Sequence, residues 1–375
     1  MLPMIQKQSV QTSRRLDWID QMKGLAIFSI VVFHFFQFYP KELEFIAVLD
    51  RSGARIALAA VDLFFVVAGF TTSYMMIRQL QKHNLSVSSI DFKSWLIKRL
   101  LRIYPAYLLA VFCSLFLYLI FNKFPPFNLD LILSILGLAD YKAQVINPGF
   151  WFFRVLLQAY LIMPLILPVA IRNPKMILFI GILGGGIVKI IGLSLPHTFW
   201  LYPYFLQNNS IGSYWLQLCL GLYWGVIYYY KNNFRKIDYL VSSVSLGIGS
   251  ALFFLLPSLG INVIYKLGID LFVTPLIFLL VYLFFTVVKE RLKSFKILDF
   301  AWDKLSLLGI YSYQIYLIHQ PLYFIIFSSL VKPINFNSYL KFFIVLALTI
   351  PLLIAYVIMF THLENWLKKK ISFLA

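Results

Sequence analysis

Ten stretches of about twenty apolar residues recur along this chain, and they decide what it can fold into. A hydrocarbon layer of about 30 Å needs roughly 20 apolar residues of helix to cross it. The stretches fall at 23–40, 54–77, 103–122, 149–171, 176–195, 210–230, 237–257, 266–288, 305–327 and 340–360. The expected fold is an all-α integral membrane protein, a bundle of about ten transmembrane helices. Composition agrees: 61% of residues are hydrophobic and 13% charged, about half the charged share of an ordinary soluble domain. Residues 1–22 are expected to form a cytoplasmic N-terminal segment, 23–360 one polytopic membrane domain, and 361–375 a basic cytoplasmic tail suited to an interfacial anchor. The polar N-terminus lacks a signal-peptide pattern, so the first apolar stretch is expected to stay as a span. No appended soluble domain is expected.

The net charge of +18 raises the question of a nucleic-acid partner. With both termini cytoplasmic, 23 of the 33 Lys and Arg fall in inner segments, which is the bias that orients membrane helices. Most of the charge is thereby explained, and no nucleic acid is expected. Cys113 and Cys219 lie inside apolar runs, where they read as small buried hydrophobes, so neither a disulfide framework nor a metal site is expected. The long segment between the third and fourth stretches has a middle suited to a short interfacial helix.

Ionisable groups inside a bilayer are costly, so each is a candidate for function. Lys23 and His34 are eleven residues apart. Eleven helical steps of about 100° return to within roughly 20° of the same direction, with a rise of about 16 Å, so the two share one helix face. His34 reads either as a packing imidazole bonded to a neighbouring helix or as an acid/base or acyl-accepting group, because imidazole titrates near neutrality. His319, in "YSYQIYLIHQPLYF", is expected at comparable depth in the outer half, where the two can line one cavity. Asp62, Arg154, Lys189 and Asp270 also map to the outer half; for Lys189, pairing between helices or snorkelling is favoured.

On the inner side "KSWLIKRLLRIYPAYL" places Lys98, Arg99 and Arg102 at the entry of the third stretch. Arg99 and Arg102, three apart, project from one helical side and can clamp a phosphate, although flanking arginines also serve as topology determinants. Pro105 is expected to end an interfacial segment or sit in a first helical turn. Gly24 and Gly69 are placed for close helix contact, and Gly184, Gly185 and Gly186 for packing or local irregularity. No phosphate-binding loop, dinucleotide fingerprint, zincin helix or nucleophile elbow occurs.

Taken together, the Lys23 to His34 spacing preceded by "RLDWIDQMKGLAI", then "VDLFFVVAGF", "KRLLRIYPAY", "FWFFRVLLQAYLIMPLIL" and "YSYQIYLIHQPL" resemble, in order, the motifs of the acyltransferase 3 family of integral membrane acyltransferases. That family O-acylates glycans and other acceptors. The chain departs from the family's usual pattern at Ala68, where a serine is common, and at Arg154 and Gln158, where many members carry an acid. The resemblance implies transfer of an acyl group, acetyl first among the possibilities, from cytoplasmic acyl-CoA to a hydroxyl of an extracytoplasmic glycan or lipid-linked glycan. Acetyl-CoA is then a donor substrate, with no metal. His34 is assigned as general base or transient acyl acceptor, with His319 and Asp62 as the other catalytic candidates. Lys23, Arg99 and Arg102 are the candidate acyl-CoA contacts, and Arg154, Trp151 and Tyr316 the candidate acceptor contacts. Trp200, Tyr202 and Tyr204 in "HTFWLYPYF" are further acceptor candidates. Membrane lipids are the remaining expected partner, with the oligomeric state left open, and the location is a cell membrane, crossed many times, of a bacterial inner or plasma type. The competing reading is a transporter or flippase for a lipid-linked sugar or other amphiphile, which also suits buried charges and a Gly-rich helix.

Overall fold

The computed structural model describes residues 16–140, 142–196, 198–200, 202–205, 210–255, 270–292, 296–332 and 337–374. Among these residues every regular element is a helix, without a strand. The helices are α1 (Asp17–Phe38), α2 (Glu44–Lys82), α3 (Phe92–Ile120), α4 (Leu129–Leu136), α5 (Trp151–Arg172), α6 (Pro174–Ser194), α7 (Tyr202–Phe205), α8 (Trp215–Lys231) and α9 (Lys236–Leu255). They continue with α10 (Asp270–Leu283), α11 (Lys296–Ile310), α12 (Ser312–Ile325) and α13 (Ser338–Leu374). A π-helical turn extends α10 over Phe284–Val288, and another extends α12 over Ile326–Val331.

Among the described residues, eight helical segments are long and apolar enough to cross a membrane: Asp17–Phe38, Ala59–Lys82, Phe92–Ile120, Pro148–Arg172, Pro174–Gly192, Phe272–Arg291, Ser312–Val331 and Ser338–Lys370. The remaining two expected stretches are occupied by α8, of 17 residues, and α9. The bundle turns apolar side chains outward, with Phe112, Leu165, Phe343 and Leu348 exposed, and buries Asp62, Asn147, His319 and Gln320. That arrangement is the one lipid surroundings favour.

Two helix crossings rest on glycine. A Cβ on Gly24 would run into the backbone of Leu305 in α11, and a Cβ on Gly309 would run into the backbone of Asp20 and Gly24. The α2 and α8 crossing is built the same way, with Gly69 against the backbone of Leu218 and Leu222, and Gly221 against that of Val66 and Phe70. Ser73 Oγ adds a hydrogen bond across it to Leu222 O at 2.9 Å. Small residues let backbones approach, which drives helix association where burial of apolar surface does not.

The directions of α1, α12 and α13 follow from their contacts. Gly309, just before α12, lies against Asp20 near the start of α1, and Tyr313 OH donates to Ile103 O of α3 at 3.0 Å. Gln314 Nε2 donates to Glu364 Oε2 of α13 at 2.9 Å, whereas Phe342 packs on Phe35 and Tyr39 near the other end of α1. So α1 and α12 run parallel and α13 runs opposite to both. One end of the bundle gathers Asp20, Lys23, Ile103, Gln314 and Glu364; the other holds the Lys341 to Glu42 ion pair at 2.8 Å.

Three boundaries differ from expectation. The single helix expected over 305–327 is two, broken at Tyr311, where Ser312 Oγ turns back to Gly309 O at 2.9 Å. His319 therefore stands seven residues into α12, about 10 Å from its start, nearer the middle of its helix than expected. Helix α3 begins at Phe92, capped by the Asp91 side chain on Ser94 N at 3.0 Å, which places Pro105 in its interior. Helix α13 runs on to Leu374, so residues 361–374 continue the last apolar helix. The expected short helix after α3 is α4, opened by the Asn128 side chain on Leu131 N and closed by Gly137 at φ 71°.

Candidate active site

The site is built by α1 and α12, with the turn that precedes α5 behind it. His34 Nδ1 and His319 Nε2 are 2.8 Å apart, and the two ring centroids are separated by 5.0 Å. His319 is fully buried, while His34 is partly exposed. His34 is thus the member of the pair that reaches the surface.

The partners of the pair order its protons. His319 Nδ1 is 2.8 Å from Ile315 O, a carbonyl that only accepts, so Nδ1 carries the hydrogen. In the neutral ring His319 Nε2 is then an acceptor, and His34 must donate to it from Nδ1. His34 Nε2 is left as the free lone pair, and Gln320 Nε2 donates to it at 2.6 Å. The Gln320 amide is oriented in turn by Gly149, whose N–H donates to Gln320 Oε1 at 2.7 Å. Every member of this chain of hydrogen bonds has one consistent role.

The local sequence explains why α12 can take part. Pro321 has no N–H, so the carbonyl four residues earlier, Leu317 O, loses its helical donor. Asn147 Nδ2 supplies the replacement at 3.1 Å, and Asn147 Oδ1 accepts from Gly149 N at 2.9 Å. The Asn147-Pro148-Gly149 turn is thereby stapled to the segment that carries His319 and Gln320. A Cβ on Gly149 would fall 2.6 Å from Gln320 Oε1, so a side chain there would push the amide off its donor.

Aromatic rings enclose the buried histidine. Tyr316 and Tyr323 meet His319 edge-on at 5.9 and 6.0 Å, and Phe152 of α5 packs on Tyr316 at 4.8 Å. Tyr316 is thus in direct contact with the pair. Trp151, beside Phe152, is buried and stacks on Tyr214 at 5.9 Å, and Arg154 follows on the next turn of α5, partly exposed.

The other anticipated residues are distributed as follows. The hydrogen bonds of Asp62 reach Gln217 Nε2 of α8 and Thr274 Oγ1 of α10, both at 3.1 Å, so it ties three helices together. Lys23 stands at the opposite end of α1 from His34, ion-paired with Asp20 at 2.7 Å. Because α1 is unbroken from Asp17 to Phe38, the rise of about 16 Å between Lys23 and His34 holds. The Arg99 guanidinium lies over Trp95 and Tyr160 at 5.4 and 5.9 Å from the ring centres, and Arg102 is exposed. Lys189 and Tyr202 are buried and Trp200 is exposed; the side chains of Asp270 and Tyr204 lie outside those described.

Gln320, Asn147 and Gly149 escaped the sequence reading. The signal for Gln320 was its place between His319 and Pro321, and the signal for Asn147 was the carbonyl that Pro321 had to leave open.

The family model described as an acyltransferase domain, Acyl_transf_3, matches residues 16–358, which is most of the chain. The chain is also 24% identical over 214 residues to the peptidoglycan O-acetyltransferase OatA of Listeria monocytogenes. That match takes in 52% of this chain and 30% of the relative, so the chain spans less than a third of its length. No solved structure matches the chain.

Proposed function

We propose that this chain, which belongs to the Acyl_transf_3 acyltransferase family, moves an acyl group, acetyl in the first instance, from a cytoplasmic acyl-CoA to a hydroxyl of an extracytoplasmic glycan. The hydrogen-bonded pair of His34 and His319 carries the reading. A hydroxyl is a weak nucleophile near neutral pH, and a positioned imidazole removes its proton during attack, typically accelerating transfer about 10²–10⁴-fold.

In the proposed step the acceptor O–H gives its proton to His34 Nε2 as the oxygen attacks the acyl carbon. The new C–O bond replaces the C–S bond of the thioester, and the departing sulfur takes up the proton. His34 keeps its Nδ1 hydrogen throughout, and His319 Nε2 accepts the hydrogen bond that steadies the transient imidazolium. His34 is the catalytic base, and His319 is a positioning residue that acts through it. Asp62, tied to Gln217 and Thr274, contributes by holding α2 against α8 and α10.

The basic end of the bundle supports a donor site. Lys23, Arg99 and Arg102 offer cations to the phosphates of CoA, with the Arg99 guanidinium lying over Trp95 and Tyr160. The bias of basic residues to one set of connecting segments supports both termini on the cytoplasmic side and a total of ten spans, with α8 and α9 completing the count. The pair lies about 16 Å along α1 from Lys23, near the end from which a glycan would enter. Trp151, Arg154 and Tyr316 are assigned to acceptor contact, and the relative's action on peptidoglycan favours a cell-envelope polysaccharide in a bacterial plasma membrane.

The test is to give purified protein in nanodiscs isotopically labelled acetyl-CoA and an envelope-glycan extract, and to look for labelled O-acetyl groups by mass spectrometry. Labelled product is expected. Movement of a lipid-linked sugar across the bilayer without consumption of acetyl-CoA would instead favour a transporter.

A further inference from the structure

We infer that Gln320 is the residue that sets the tautomer of His34, holding its basic lone pair at Nε2, and that its amide occupies in the resting state the position an acceptor hydroxyl must take. The inference deepens the acyl-transfer reading and rests on it for the second half alone. A neutral imidazole has one lone pair and one N–H, and its two tautomers differ little in energy in water, so a buried imidazole adopts the tautomer its partners select.

Two partners make the selection here, one on each side. His319 Nε2 requires a donor, because its own hydrogen is committed to Ile315 O. Gln320 offers a donor, because its oxygen is committed to Gly149 N. Both demands point to the same form of His34, with the hydrogen on Nδ1. His319 demands this form only while the His34 ring keeps Nδ1 turned toward it. Gln320 holds the ring in that orientation by donating to the lone pair at Nε2.

The position of the amide nitrogen has a second meaning. At 2.6 Å from Nε2 it stands where a hydroxyl donating to the base would have to stand. The acceptor therefore displaces one hydrogen bond and replaces it in kind, and the freed N–H of Gln320 remains beside the reacting oxygen. Until that exchange, the base is capped by a donor that cannot give up its proton. A carboxylate at position 320 would reverse the arrangement: it accepts rather than donates, so it would draw a hydrogen onto His34 Nε2 and use up the lone pair.

Solid-state ¹⁵N NMR of histidine-labelled protein in liposomes reads the tautomer directly, with the His34 signals identified by their loss in His34→Ala. The wild type is expected to show His34 protonated at Nδ1 and bare at Nε2. Gln320→Glu is expected to show hydrogen on Nε2, and Gln320→Leu a mixture of the two neutral forms. On the activity side, Gln320→Glu is expected to lower kcat about tenfold or more. Hydrogen on Nε2 in the wild type, or an unchanged His34 tautomer in folded Gln320→Glu and Gln320→Leu, overturns the inference. A wild type that shows the expected tautomer yet transfers no acyl group would instead remove the acyl-transfer reading and leave the tautomer assignment standing.

Discussion

His34 donates from Nδ1 to Nε2 of His319 across 2.8 Å, joining residues 285 apart in the chain. The direction of that bond follows from Ile315 O behind His319, and it makes the two histidines unequal. His34 is partly exposed, and His319 is buried against the protein.

His319 should therefore tolerate replacement by another acceptor better than by none. His319→Ala removes the acceptor for His34 Nδ1–H, and kcat should fall about 10–100-fold with KM for the acyl donor nearly unchanged. His319→Gln, which can present an amide oxygen, should recover part of the loss. Equal kcat for the two variants, measured at equal amounts of folded protein, would contradict the positioning role.

The glycine crossings predict a sharp contrast within one residue type. Gly309→Ala places a methyl group against the Asp20 backbone, which has no rotamer to yield, so α1 and α11 must separate. The cost should be about 1–3 kcal/mol, seen as a lowered thermal midpoint in detergent. Gly186→Ala, with no atom within 4 Å of the added carbon, should be neutral or slightly stabilising. Similar midpoints for the two variants would count against the packing described here.

Pro321 and Asn147 should be coupled. Asn147→Ala leaves Leu317 O without its donor, costing about 1–3 kcal/mol. Pro321→Ala restores a backbone N–H four residues after Leu317, so the same Asn147→Ala change should cost less in that background. A double-mutant cycle in denaturation measurements checks this, and strict additivity would argue against the proline as the reason for the contact.

These relationships divide what the sequence discloses from what it hides. The apolar stretches announce the helices, and the Lys23 to His34 spacing survives intact because α1 is unbroken from Asp17 to Phe38. Gly24 and Gly69 were legible as contact points because small residues have few other uses within a span. The break at Tyr311 was not, because the apolar run continues through it, and Pro105 misled because neighbouring helices let proline sit inside α3. Asp62 bonds Gln217 and Thr274, 155 and 212 residues away in the chain. Pairings of that kind depend on which helices touch, and periodicity carries no information about it.

The donor-site assignment predicts a separation of kinetic effects. Arg99→Ala and Arg102→Ala should each raise KM for acyl-CoA about 5–30-fold, the loss of roughly 1–2 kcal/mol for a charge-assisted contact, while kcat changes little. The increase should diminish at high ionic strength. Unchanged KM in both variants would remove these residues from the donor site.

The most direct measurement is the rate of CoA thiol release from acetyl-CoA by wild type and His34→Ala, each purified in nanodiscs with envelope glycan as acceptor. The account predicts release by the wild type and a loss of about 10²–10⁴-fold in a variant that remains folded. Release at the wild-type rate by folded His34→Ala would contradict it.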